Sequence, residues 1–198
     1  MRLKVLAPWL VLAALVGGYL LLVPPTGGHT AVESAEIGWD DGQRAQRIAH
    51  DLHERLNDER AERGLPALEW HDGLAEQAQD WTRHMIEQGE FEHSPVELQR
   101  HPDFMGTGEN ILMGHDGSAD GHVAWMESDG HREAILYPHF TAVGIGAICR
   151  NDGRLWATQL FGVAHGPPPS DVAVDTSVEP IVRDDGGIDC PNVPRWDR

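Results

Sequence analysis

Ala142-Val143-Gly144-Ile145-Gly146-Ala147-Ile148-Cys149, the polar Arg150 to Arg154, then Leu155-Trp156-Ala157-Thr158-Gln159-Leu160-Phe161-Gly162-Val163 form the stretch that decides the fold. Two apolar, β-rich runs flank Asn151-Asp152-Gly153, and Asp-Gly between such runs is a strong hairpin signal. Upstream the period changes from two to about 3.6. From Gln43 to Gly64 the residues Ile48, Leu52 and Leu56 recur at i, i+4, i+8, with Asp41 placed to cap the helix and Gly64 and Pro66 to stop it. A second helix begins after Asp72, carries Leu74, Ala78, Trp81 and Met85 on one stripe, and ends at Gly89. A third centres on Val123-Ala124-Trp125-Met126, and Glu109 to Met113 is a further strand candidate. Helices followed by a hairpin predict an α+β domain with helices packed on an antiparallel sheet.

The 198 residues suit one domain, and the 15 Lys+Arg against 32 Asp+Glu leave a net charge of −17. That charge excludes nucleic acid and anionic lipid surfaces as partners, since both repel it. Lys4 is the only lysine. An acidic, lysine-poor surface suits concentrated salt, so a halophilic source is expected; a codon bias toward Arg is the alternative.

Residues 1–4 form a basic flank, and Val5 to Val23 are free of charge. That run approaches the roughly 20 residues that span a bilayer core. It exceeds a usual signal-peptide core and no small-x-small site follows, so an uncleaved anchor is favoured, with a cleaved signal peptide as the alternative. The basic flank stays cytoplasmic and the rest lies outside the cell. Residues 24–42 read as a flexible linker, 43–166 as the domain and 167–198 as a polar tail. Cys149 and Cys190 admit two readings: one disulfide that pins the tail to the domain, or two thiols, one of them buried.

Of the 12 histidines, most read as surface or packing positions: His29 in the linker, then His50, His53, His71, His84, His101, His115, His122 and His165. His93, His131 and His139, together with Glu109, instead fall at element junctions, where binding residues concentrate. Gly108 allows close backbone approach beside Glu109. Trp81, Trp125 and Trp156 read as core. Arg132 either holds an acidic ligand group or pairs with a local carboxylate, and the acidity of the chain favours the pair. Ser94 and Ser128 lack the glycine pattern of a nucleophile elbow.

An opening motif and five more that follow it in order carry a family resemblance. Arg63-Gly64-Leu65-Pro66-Ala67-Leu68-Glu69-Trp70 and Phe91-x-His93 are followed by Gly108-Glu109-Asn110-Ile111 and by Trp125-Met126-x-Ser128-x-Gly130-His131-Arg132. Phe140-Thr141-x-Val143-Gly144-Ile145-Gly146 and Thr158-Gln159-x-Phe161-Gly162 complete the series. Over residues 43 to 165 the chain resembles the CAP superfamily, the SCP-like extracellular domains of cysteine-rich secretory, antigen-five and pathogenesis-related proteins, in its prokaryotic branch. The resemblance implies a three-layer α–β–α sandwich with a central antiparallel sheet. It also implies a cleft lined by two His and two Glu that holds a divalent metal such as zinc in many members. By position, His93, Glu109 and His139 match three of these, making them the implied metal ligands. The second Glu normally stands three residues after the tryptophan, a slot occupied here by Ser128. Glu127 lies about 100° away around a helix. His131 belongs to the prokaryotic pattern and joins the cleft.

Chemically, neutral imidazoles ligate zinc, and a carboxylate either joins them or orients one. Three functions follow: an extracytoplasmic domain binding a small-molecule, lipid or peptide ligand; a zinc- or Glu109-dependent peptide or ester hydrolase; and a structural envelope protein. The absent second Glu favours binding over catalysis.

Overall fold

The computed structural model describes residues 39–166, 174, 176, 177 and 179–191. The basic flank, the span predicted over 5–23 and most of the linker lie outside them, as do 167–173 and 192–198 of the tail. Among the described residues no helix is long and apolar enough to cross a membrane.

The described residues form, in chain order, α1 (Trp39–Glu62), β1 (Glu69–Trp70), α2 (Asp72–Gln88), α3 (Val96–Gln99), β2 (Phe104–His115), α4 (Ser118–Glu127), α5 (Asp129–Ile135), β3 (Ala142–Cys149) and β4 (Leu155–Ala164). The start of α1 precedes expectation, so residues 39–42 of the supposed linker are helical and Asp41 lies inside the helix.

One sheet has the order β1-β3-β4-β2. β2, β4 and β3 are antiparallel, but β1 joins β3 in parallel, so the sheet is mixed. The hairpin forms as read: Gly153 takes φ 77°, and its N–H donates to Arg150 O at 2.9 Å.

Alternation along β3 assigns the two faces. Val143, Ile145, Ala147 and Cys149 meet Ile48, Leu52 and Leu56 of α1 and Trp125 and Met126 of α4 in the main core. On the other face Ala142 and Leu160 meet Leu74 and Ala78 of α2. Gly144 and Gly146 bring α2 onto the sheet: a Cβ on either would lie 2.0–2.2 Å from a backbone nitrogen of α2. The helices therefore cover the sheet from both sides.

Part of the tail is bound to the domain. Cys190 is disulfide-bonded to Cys149 (S–S 2.04 Å), Asp189 bridges Gly117, and the Ile181 N–H donates to Glu59 Oε1 at 2.6 Å.

Candidate functional site

The site grows from the end of α2. Gly89 closes that helix in the left-handed conformation (φ 69°), and Trp81 Nε1–H donates to Glu92 O at 3.0 Å, which fixes the loop carrying His93. The loop lies against Glu109 on β2. Glu109 is 3% exposed and accepts three hydrogen bonds: from His93 Nδ1 (2.9 Å), the Ser94 N–H (2.9 Å) and Ser94 Oγ (2.6 Å). An ionised carboxylate only accepts, so His93 Nδ1 carries the proton and the neutral ring has its lone pair at Nε2. His93 is 56% exposed, so this acceptor is open to solvent.

His131 stands in the first turn of α5, a separate helix set off from α4 by extended backbone at Ser128. Buried Asn110 holds it there by donating to His131 O and Gln159 Oε1, both at 3.1 Å. Burial, and then the positive charge that His93 carries whenever it is protonated, lower the His131 pKa below its ordinary value.

His139 lies in the segment between α5 and β3. Its ring meets Tyr137 edge-on at 5.1 Å, and Tyr137 in turn meets Phe140 at 4.9 Å. Phe140 occupies the space over Gly108, where a Cβ would come within 2.7 Å of its ring. Behind this segment Arg60, fully buried, donates to the carbonyls of Pro66, Ile135, Tyr137 and Phe140. Burial drops its pKa to about 10.

The structure thus brings His93, Ser94 and Glu109 into contact, with His131 near enough to feel the charge of a protonated His93. It does not gather donor atoms of His93, Glu109 and His139 within 4.8 Å of one another. Glu127 is exposed and, among the described residues, joins no group of three possible metal donors. Arg132 donates to Met126 O at 2.7 Å and to Asp129 Oδ1 at 2.6 Å, the local pairing that the acidity favoured. Ser94 Oγ serves Glu109 rather than an imidazole, which removes it as an activated nucleophile.

Sequence reasoning missed a buried polar cluster at the end of α1. Glu59 is fully buried and contacts His122 Nε2 at 3.3 Å, with Arg63 and the Ile181 N–H also on its oxygens. Burial pushes the Glu59 pKa up, but these partners outweigh it and hold the group below its ordinary value. No local pattern signals it, because Glu59 and His122 stand 63 residues apart in the chain.

Residues 53–161 match the cysteine-rich secretory protein family, CAP. The chain belongs to that family. Among CAP relatives, the uncharacterized protein YkwD of Bacillus subtilis is 32% identical over 117 residues, covering 55% of this chain and 45% of that protein. The uncharacterized membrane protein YlbC of the same species is 32% identical over 110 residues, 52% of this chain and 30% of the relative. The chain thus spans less than half the length of these two relatives. An outer surface protein from Borrelia burgdorferi superposes with TM-score 0.56 at 20% identity, over 61% of this chain and 95% of that one. An extracellular SCP-domain protein from Bacillus anthracis gives 0.51 at 26%, over 62% and 41%. These neighbours share the CAP fold.

Proposed function

We propose that this CAP-domain chain works outside the cytoplasm as a binding protein, tethered through residues 5–23 or secreted if that segment is cleaved. Its cleft takes a small polar ligand, or a polar group of a lipid or peptide, on His93 Nε2. The observation that carries this reading is the state of Glu109. With three donors on its two oxygens it is committed to orienting His93, and the ring presents one aimed acceptor beside His131. The extracellular and outer-surface neighbours and the membrane relative support the location.

Zinc does not fit the implied set as placed. Glu109 is used by His93 and Ser94, and the His139 donors stand outside a common coordination sphere with them. The hydrolase reading also weakens, because a carboxylate engaged by three donors has little capacity left to take a proton from water.

The test is ligand-observed NMR on the full chain in detergent, with a panel of small polar metabolites, lipid headgroups and short peptides. Binders lost in His93→Ala, with folding retained by circular dichroism, are expected. Binding unaffected by that change would refute the assigned contact. Turnover of peptides or esters that falls by orders of magnitude in Glu109→Gln would replace binding with hydrolysis.

A further inference from the structure

A second polar cluster lies at the opposite end of α2 from His93. His71 caps the start of that helix, its Nδ1 accepting the Leu74 N–H at 3.2 Å, while its Nε2 lies 3.2 Å from Asp103 Oδ2. His101 Nδ1 lies 3.6 Å from the same oxygen and accepts the Asp103 N–H at 3.2 Å. One donor atom from each residue lies within 4.8 Å of the others.

The arrangement is built by the fold rather than by local sequence. His71 belongs to the start of α2, whereas His101 and Asp103 precede β2. Phe104 packs its ring against both imidazoles, at 5.0 Å and 5.7 Å. His101 reaches the helix because residue 73 is glycine: a Cβ there would stand 2.5 Å from His101 Nε2. The side chains of His71 and His101 are 28% and 14% exposed, and Asp103 is 62% exposed, so solvent enters from the carboxylate side. His71 and Asp103 also line a groove of about 440 Å³ that passes Phe140 and Ala164.

We propose that His71, His101 and Asp103 form a divalent-cation site, separate from the His93–Glu109 cleft, that takes a borderline ion such as zinc. Two imidazoles and one carboxylate with an open fourth position suit that ion. Binding must balance in protons. In the free protein His71 Nδ1 accepts a hydrogen bond, so Nε2 carries the ring proton, donated to Asp103. A cation on Nε2 displaces that proton, the neutral ring takes one up at Nδ1, and the Leu74 N–H loses its acceptor. His101 needs no such change: its Nδ1 lone pair passes from the Asp103 N–H to the cation while Nε2 stays protonated over Gly73. Occupancy is thereby coupled to the cap of α2.

The experiment is isothermal titration of zinc chloride into the full chain, without an affinity tag. The His93→Ala/His131→Ala/His139→Ala background silences the cleft. One ion per chain is expected, with affinity at least tenfold weaker in His101→Ala and in Asp103→Asn. Gly73→Ala keeps all three ligands and favours helix, yet displaces His101, and is expected to weaken binding equally with the fold intact. Should the cleft variant fail to fold, the Leu74 amide resonance of the unmodified chain reports the same event, shifting on zinc addition. No zinc uptake, uptake unchanged by these three substitutions, or a Leu74 amide indifferent to bound zinc would overturn the site.

Discussion

At Glu109 a nearly buried carboxylate holds a half-exposed imidazole, and two predictions belong to that single contact. In Glu109→Gln the amide oxygen can keep the His93 Nδ1–H and Ser94 N–H bonds, while its NH₂ falls on Ser94 Oγ, which must accept where it donated before. Exchanging charge-assisted bonds for neutral ones costs about 1 kcal/mol, so urea denaturation should show a loss of that order. His131 gives the second. Burial lowers its pKa first and the His93 charge lowers it further, so His93→Ala should move it upward toward the ordinary histidine value. The Cε1–H shift against pH reads this directly, and an unchanged midpoint would separate the two rings electrically. Because the folded pKa lies below the unfolded one, the unfolded chain takes up the proton first as pH falls. The contribution of His131 to stability is therefore present above about pH 6.5 and lost as pH falls through its folded value.

At the scale of elements, α2 is the piece whose fit is tightest. Alanine at Gly146 would put its Cβ 2.2 Å from the Gln79 nitrogen, and neither backbone has room to yield. Gly146→Ala should cost about 3 kcal/mol or more, whereas Gly130→Ala in α5, with nothing within 4 Å, should be neutral or slightly stabilising. Denaturant midpoints for the pair distinguish steric contact from a general intolerance of alanine. The tail gives another test. A cross-link over a separation of 41 residues restrains the unfolded chain, so reducing Cys149–Cys190 should lower stability by about 2–4 kcal/mol. It should also expose residues 179–190 to protease. The long elements were legible because periodicity marks them: the stripe of α1, the stripe of α2 and the hairpin. β1 and α3 were not, since two and four residues carry no period and β1 exists only through its pairing with β3. The same distinction holds for the sites. His93 and Glu109 were found through ordered motifs, whereas His71 with His101, and Glu59 with His122, become neighbours only after the chain folds.

Across the whole molecule the dominant quantity is a net charge of −17. Two electrostatic effects compete when salt is added. Screening weakens exposed ion pairs such as Arg83–Asp80 and Arg154–Asp116, each worth about 0–1 kcal/mol. It also weakens repulsion among the excess carboxylates, an effect that sums over many pairs once the Debye length shrinks from about 10 Å at 0.1 M to about 3 Å at 1 M. Buried contacts respond little: Arg55 sits 3% exposed between Asp51 and Asp185, and its pKa is raised despite the burial because those carboxylates hold the charge. With more than twice as many acidic as basic residues, relief of repulsion wins. The urea midpoint of the full chain should therefore climb as potassium chloride rises over that range, chloride being preferred to sulfate so that screening dominates over salting-out. The slope decides between two origins of the composition. A steep climb with partial unfolding in dilute buffer marks an acidic surface adapted to salt. A flat response would mean that the carboxylates are already spaced widely enough to ignore one another, leaving the scarcity of lysine as a bias of composition alone.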